Sequence, residues 1–183
     1  MVQAAAQLAD QQGGVDQVTL AQVADHFQIR VPSLYNHVDG LDGLRREVAL
    51  LSLRELTAQV RHGAVGKAGN TALIALAHAY RRFALEHPGR YSATQRAGDA
   101  DDVAMNEASQ TLINVLLQVL EPFALSTEDA LHVIRALRSI THGFVTLEAS
   151  GGFGMDLDRD ESYRRLVQMF VDGLAAQRKG SNA

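Results

Sequence analysis

Apolar residues recur at three- and four-residue intervals along most of this 183-residue chain, and this spacing is the feature that most limits its fold. Such a period places apolar side chains on one face of an α-helix, whereas a half-buried β-strand needs strict alternation of apolar and polar residues. The sequence contains no convincing alternating segment. It therefore predicts an all-α protein built from amphipathic helices.

Capping and helix-breaking residues divide the chain into segments. Residues 2–12 are expected to form an alanine-rich helix that ends at Gly13. Thr19 and Gln22 have the spacing of a capping box at the start of a second helix, and Pro32 suits the first turn of a third. Longer helices are expected at about 41–62, 73–86, 103–120, 126–149 and 161–177.

Composition limits the class of protein. Hydrophobic residues make up 46% of the chain and charged residues 21%, which is ordinary for a globular protein. The absence of cysteine excludes disulfides and cysteine-ligated metal sites. No apolar run is long enough to cross a bilayer, and the N-terminus lacks the pattern of a signal peptide. A cytoplasmic protein without a membrane partner is therefore expected.

The charge of the chain does not by itself indicate nucleic acid binding. The formal net charge is −4, and residues 1–62 hold five arginines against seven carboxylates. A DNA-binding domain normally presents a basic patch. Any prediction of DNA binding must therefore come from the geometry of a motif.

Residues 19–44 have the pattern of two short helices joined by a tight turn. Such a unit can place its second helix in the major groove of DNA, which is wide enough for one helix. The expected core of the unit is Ala24, Phe27, Ile29, Leu34 and Val38. The outer face of the second helix then carries the polar side chains of Ser33, Tyr35, Asn36 and His37.

Two short motifs in this unit, Thr19-Leu20-x-x-Val23-Ala24 and Ser33-Leu34-Tyr35-Asn36-His37-Val38, resemble the DNA-binding domain of TetR-family transcription regulators. The resemblance covers residues 1 to about 50. Two positions depart from the family pattern. Gln28 replaces the turn glycine, which implies a strained left-handed residue or a changed turn, and Leu41 replaces a lysine that would contact a phosphate.

The resemblance implies two groups of DNA-contacting residues. The phosphate-binding group is Thr19, Tyr35 and His37, whose contacts set register without carrying base information. The group that faces base edges is Val31, Pro32, Ser33 and Asn36, and the Asn36 amide can pair with adenine. Arg30 is expected either to read guanine or to bind a phosphate, and the sequence leaves both open.

The last third of the chain resembles the C-terminal domain of one TetR subgroup, the WHG type. The matching residues are Arg138, His142-Gly143-Phe144, Leu147-Glu148, Gly151-Gly152-Phe153 and Phe170-Val171-x-Gly173-Leu174. The tryptophan usual in that subgroup is Thr141 here. The resemblance implies a helix-turn-helix domain at 1–45 and an effector-binding and dimerisation domain at 46–183.

Family resemblance also implies a homodimer, in which the last two helices pack against their mates as a four-helix bundle, and a small-molecule pocket. The expected dimer interface is Leu131, Ile134, Arg138, Phe144, Leu166, Phe170 and Leu174. The expected effector pocket is Tyr80, Phe83, Met105, Leu112, Leu116, His142 and Phe144. These pocket residues are large and mostly apolar, and residues of this kind more often serve ordinary core packing.

The predicted function is that of a sequence-specific DNA-binding transcription regulator, a repressor that a small-molecule effector releases from its operator. Its expected partners are double-stranded operator DNA, a second copy of the chain and the effector. The alternative is a helical regulator or adaptor that acts through protein partners alone. No enzyme activity, cofactor or metal is expected, because the sequence lacks a nucleophile–base motif, a phosphate-binding glycine loop and histidines at ligand spacing.

Overall fold

The computed structural model describes residues 1–95 and 101–180, and in this part of the chain it contains helices, turns and loops but no β-strand. The predicted all-α class is therefore confirmed. The helices are α1 (Val2–Gln12), α2 (Leu20–His26), α3 (Val31–Leu34), α4 (Gly40–Ala64), α5 (Gly69–Glu86), α6 (Pro88–Ala93), α7 (Val103–Leu120), α8 (Thr127–Ala149) and α9 (Arg159–Gly180). Single turns of 3-10 helix lie at Val15–Gln17 and Glu121–Phe123.

Local capping sets several of the helix ends. Gly13 follows α1 with a φ of 75°, a left-handed conformation that glycine adopts without strain. At the start of α2, the Thr19 hydroxyl accepts the backbone N–H of Gln22, and the Gln22 side chain accepts the backbone N–H of Thr19 at 2.8 Å. Ser126 caps α8 by accepting the N–H of Asp129. The predicted capping box is confirmed, and the cap at Ser126 agrees with the start expected for the helix at 126–149.

Two helix boundaries differ from the sequence prediction. The predicted stop at His87-Pro88 only interrupts the helix, because α6 begins at once with Pro88 in its first turn, where proline loses no hydrogen bond. Six residues are too few to show a periodic pattern. Gly63, predicted to lie in a loop, lies inside α4 instead. A Cβ there would meet the Cβ of Ala79 at 2.8 Å, so the glycine allows α4 and α5 to approach closely.

These elements form two compact units. Unit 1 consists of Met1–Thr57 and Glu86–Leu112, and unit 2 consists of Ala58–Leu85 and the chain from Ile113 onward. Helices α4 and α7 run from one unit into the other, so neither unit is a continuous piece of sequence. The predicted functional division after residue 45 does not coincide with these units, and it stays a prediction about what each part of the chain does.

Unit 1 is built around the alanine-rich helix α1. Ala5, Ala6 and Ala9 have no exposed surface, and their small side chains allow neighbouring elements to approach the α1 backbone. The other buried members of this core are Val15, Val18, Val23, Ala24, Leu34, Val38, Leu44, Val48, Ala49, Leu50, Leu53, Ala93, Met105 and Ala108. The core thus joins α1 to the helix-turn-helix segment and to α4.

Helix α6 lies backbone to backbone against α1. A Cβ at Gly89 would lie 2.0 Å from the carbonyl carbon of Ala9, so only glycine fits at this position. The Asp10 carboxylate accepts the backbone N–H of Arg90 at 2.8 Å and pairs with its Nε at 3.0 Å. Arg90 Nη1 also pairs with Glu55 of α4 at 3.1 Å. Arg90 therefore ties α6 to both α1 and α4, and we refer to this arrangement as the α1–α6 contact.

A buried arginine organises unit 2. The Arg81 guanidinium on α5 donates to both carboxylate oxygens of Glu148, at 3.0 and 2.7 Å, and to Asp160 at 2.7 Å. It also lies 5.0 Å from the ring centroid of Tyr163, within cation–π range. Tyr163 is fully buried, donates its hydroxyl to the carbonyl of Ala77, and burial raises its pKa to about 12. These contacts join α5, α8 and α9.

Gly89→Ala tests the α1–α6 contact. We expect the free energy of unfolding to fall by about 1–3 kcal/mol, the usual cost of overpacking, because the added methyl group meets backbone atoms that have little room to move. Thermal and chemical unfolding followed by circular dichroism measures the loss. Gly154→Ala is the control, since a Cβ there has nothing within 4 Å, and it should stay within ~0.5 kcal/mol of the wild type. Equal stability of the two variants would contradict the close approach.

Candidate DNA-binding surface

The predicted helix-turn-helix is formed by α2, a turn at residues 27–30 and α3. Val23 and Ala24 of α2 are buried, as are Leu34 and Val38 of the segment that follows the turn. All four belong to the core of unit 1. Because one side of the α3 segment is held in the core, its opposite side is turned towards solvent.

Helix α3 is a single turn, but the chain keeps a helical path beyond it. Pro32 occupies its first turn, and Tyr35 retains right-handed helical angles (φ −62°, ψ −15°). The backbone N–H of Val38 donates to the carbonyl of Leu34 at 3.1 Å. Residues four apart on such a path share a face, so Pro32 and Asn36 lie on the same side of the segment.

The residues predicted to contact DNA lie at the surface of unit 1. Seven are exposed and Val31 is half-buried; the exposed ones are Thr19, Arg30, Pro32, Ser33, Tyr35, Asn36 and His37. Tyr35 is 59% exposed, which leaves its hydroxyl available for a ligand. The Thr19 hydroxyl accepts the N–H of Gln22 and donates to its side-chain oxygen at 3.0 Å, so a phosphate oxygen would have to replace that oxygen as its acceptor.

The turn between α2 and α3 buries fewer apolar side chains than the sequence predicted. Gln28 has a φ of 54°, so the left-handed conformation of the family's turn glycine is kept, at the cost that a side chain brings there. Phe27 and Ile29 were expected in the core, yet they are 41% and 39% exposed. Phe27 follows the last residue of α2, beyond its buried stripe, and its ring packs edge-on against His26 at 5.0 Å. That core prediction is wrong for both residues.

Two arginines of unit 1 are engaged by groups of the protein itself. The Arg45 guanidinium donates to the carbonyl of Asp16 at 2.7 Å. Arg46 makes two hydrogen bonds of 2.6 Å to the carboxylate of Asp102, which raise the pKa of Arg46 and lower that of Asp102. Residues 1–62 carry a slight net negative charge, and hydrogen bonds within the fold engage two of their five arginines.

The predicted effector-pocket residues are distributed over both units. Tyr80 and Leu116 line one small cavity of ≈ 20 Å³ in unit 2, together with Leu76, Ala77, Ile134, Leu137, Arg138 and Thr141. Phe83 is buried, and Phe144 packs against the rings of Phe153 and Tyr163, whereas His142 is half-buried. Met105 and Leu112 pack against the core of unit 1. A cavity of this size holds about one water molecule, so the pocket stays a prediction.

The predicted dimer-interface residues also differ in their surroundings. Phe144 and Leu174 are buried within unit 2, and Ile134 and Arg138 line the small cavity. Leu131 is 41% exposed, and Leu166 and Phe170 are half-buried. Met169, which the sequence prediction missed, is 65% exposed on α9. Its spacing from Leu166 and Gly173 would have revealed a second apolar stripe on that helix.

Clusters of metal-ligating side chains and membrane-spanning helices are both absent from the residues that the structure describes. Within residues 1–95 and 101–180, no group of three or more histidine, aspartate or glutamate side chains is arranged to hold a metal ion. The helices of the same residues also include none with the length and apolar character needed to span a bilayer.

Comparison with known proteins identifies the family. A family model for the tetracyclin repressor-like C-terminal domain matches residues 73–170. The chain is 37% identical over 180 residues to YobS, an uncharacterised HTH-type transcriptional regulator of Bacillus subtilis, which covers 98% of this chain and 93% of that one. It is 33% identical over 162 residues to Rv0681, a regulator of the same description from Mycobacterium tuberculosis, with coverages of 88% and 74%.

Solved structures show the same fold. A protein of unknown function from Rhodococcus sp. RHA1 superposes with a TM-score of 0.76 at 22% identity, over 95% of this chain and 93% of that one. A possible TetR family transcriptional regulator from Streptomyces coelicolor A3(2) gives a TM-score of 0.67 at 17% identity, over 96% and 97%. The fold, the helix-turn-helix surface and the close sequence relatives agree with the expectation from the sequence. The chain belongs to the TetR family of helix-turn-helix transcription regulators.

Proposed function

We propose that this regulator is a homodimeric repressor that binds an operator through α3 and leaves it when a small-molecule effector binds unit 2. The observation that carries the DNA-binding part is the polar, exposed side of the α3 segment, opposite a side that is buried in unit 1. A side that serves only the fold would not need an exposed tyrosine beside an exposed amide. The alternative is an adaptor that uses the same surface to bind a protein.

The proposed DNA contacts follow from the chemistry of the exposed groups. Tyr35 and His37 offer hydroxyl and imidazole donors for phosphate oxygens, and Thr19 offers a third once its hydroxyl releases the Gln22 side chain. These contacts position the protein. Val31, Pro32, Ser33 and Asn36 face the base edges, where the Asn36 amide can pair with N6 and N7 of adenine. Arg30, exposed immediately before α3, serves as a guanine reader or a phosphate ligand.

The proposed dimer face lies on the second apolar stripes of α8 and α9. Helix α9 buries Tyr163, Val167, Val171 and Leu174 in its own unit. A separate stripe at helical spacing is half-buried or exposed: Leu166, Met169, Phe170 and Gly173. A helix that is apolar on two sides needs burial on two sides, and a second copy of the chain supplies the second burial.

Helix α8 repeats this arrangement. Ala136, Ile140, Gly143 and Leu147 follow one another at helical spacing, and Leu147 is 47% exposed. A Cβ at Gly143 or at Gly173 would have nothing within 4 Å, so the backbone at both glycines is open to a partner helix. Two such helices from each protomer form a four-helix bundle, in which DNA binding places the two α3 segments about 34–36 Å apart.

The proposed effector response begins at the small cavity of unit 2. A drug-sized ligand needs roughly 300–1,000 Å³, so an effector that binds between α5, α7 and α8 must displace them. Helix α5 continues through His87-Pro88 into α6, which the α1–α6 contact holds against α1. A displacement of α5 is therefore passed along the chain to α1. The effector shifts the balance only by binding one arrangement more tightly than the other.

Asn36→Ala and Tyr35→Phe test the operator-binding proposal. Asn36→Ala should lower the preference for operator over scrambled duplex by about 5- to 150-fold, the range expected for one bidentate base contact. Tyr35→Phe should weaken binding to both duplexes by a similar factor of about tenfold or more, because it removes a hydrogen bond to a charged phosphate. Fluorescence anisotropy with duplexes from around the gene, over a salt series, measures both effects.

Asn70→Ala is the matched control for Asn36→Ala, because Asn70 is also exposed but lies at the start of α5. It should leave affinity and preference unchanged. If the wild type binds no duplex even at low salt, operator binding is refuted and the adaptor alternative is favoured.

Leu147→Glu tests the proposed dimer face. The carboxylate would be buried without a partner between two protomers, so we expect the dimer dissociation constant to rise by at least 100-fold. Sedimentation velocity over a concentration series measures it. Val65→Glu is the matched control, since Val65 is an equally apolar, 65% exposed residue in the loop between α4 and α5, and it should remain dimeric. A Leu147→Glu variant that dimerises like Val65→Glu would show that the interface lies elsewhere.

A further inference from the structure

The first turn of α3 presents apolar side chains at the positions where base contacts are proposed. Pro32 is exposed and Val31 is half-buried. Neither side chain has a hydrogen-bond donor or acceptor, and Pro32 also lacks a backbone N–H. These two positions therefore have no means of forming hydrogen bonds to a base edge through their side chains. Whatever they recognise must be apolar.

The charge balance of unit 1 gives base contacts a larger share of the binding free energy. Cations that neutralise phosphates normally supply much of the affinity for DNA through counterion release. Here Arg46 is bound to Asp102 and Arg45 donates to backbone carbonyls, which leaves Arg30 and Arg54, both exposed, as the other arginines of Met1–Thr57. A regulator with weak phosphate attraction depends more strongly on close contacts in the groove.

Thymine is the base that offers an apolar group there, because its C5 methyl lies in the major groove. We propose that Val31 and Pro32 recognise thymine methyl groups, so that each operator half-site has an A·T-rich centre; this inference rests on the proposed operator binding. Pro32 and Asn36 share a face one helical turn apart, a pitch of about 5.4 Å. The thymine that Pro32 contacts therefore lies within about two base pairs of the adenine that Asn36 reads.

Replacing thymine with deoxyuridine removes the methyl group alone and leaves the base-pairing edge intact. The full-length protein first selects its preferred sequence from randomised duplexes, and each thymine of that duplex is then replaced in turn by deoxyuridine. We expect affinity to fall about fourfold at one or two positions in each half-site, which corresponds to ~0.8 kcal/mol for one buried methyl-sized group. Fluorescence anisotropy at fixed salt measures each duplex.

The double variant Val31→Ala/Pro32→Ala identifies the side chains that recognise the methyl group. Alanine favours a helix, so the fold should be retained, and circular dichroism checks this. The loss on deoxyuridine substitution should fall below twofold in this variant. Phe27→Ala is the control, since Phe27 is an exposed apolar residue of the same motif that follows α2 and lies four residues before α3, and it should keep the fourfold loss.

Each contrary result has a distinct meaning. Selective binding in which every thymine and deoxyuridine duplex is equivalent would overturn thymine reading and leave the operator proposal standing. A fourfold loss that persists in the double variant would overturn the assignment to Val31 and Pro32. If selection yields no preferred sequence, the proposed operator binding fails, and thymine reading fails with it.

Discussion

The close approach of α6 to α1 is the constraint on which unit 1 depends. Gly89 lets the two backbones touch, and the Asp10–Arg90 pair holds them in register. Ala9 presents only a methyl group on the α1 side, and it is fully buried. Residues 86–112 therefore fold with the N-terminal helices rather than with the sequence that precedes them. The segment that ends α5 is thus part of the unit that carries the helix-turn-helix.

The packing of unit 1 holds the candidate DNA-binding surface in place through residues other than those that form the surface. Leu34 and Val38 are held in a core made by α1 and α4, and the Thr19 cap fixes where α2 begins. The polar side chains of the α3 segment are consequently not needed to stabilise the fold. Hydrogen bonds inside unit 1 engage two of its arginines, and Arg30 stays exposed beside α3. In the proposed mode of DNA binding, groove contacts therefore contribute more than charge does.

Local features of this fold could be predicted from the sequence. Gly13, the Thr19–Gln22 capping box and Ser126 act within a few residues of themselves, so their chemistry is visible in the chain. The TetR family was likewise predicted from the two motifs of the helix-turn-helix, and the all-α class from the helical spacing of apolar residues. Helix α6 was not predicted, because a helix of six residues is too short to show that spacing.

Contacts between distant segments left no such signal. Arg46 pairs with Asp102 and Arg81 pairs with Glu148 across 56 and 67 residues of sequence. No local sequence pattern indicates which carboxylate each arginine binds. The exposure of Phe27 was missed for a related reason, since an aromatic residue at helical spacing indicates a buried stripe until the end of the helix is known. The predicted dimer residues included the buried Phe144 and Leu174 because the family resemblance assigned the last two helices to the interface without showing which side of each helix faces its own unit.

Hydrogen–deuterium exchange of the full chain, with and without duplex DNA from around its gene, tests most directly where this regulator meets DNA. Binding through the helix-turn-helix predicts slower exchange at residues 19–38 and little change in α8 and α9. Protection confined to α8 and α9, with residues 19–38 exchanging as before, would contradict the proposed recognition surface.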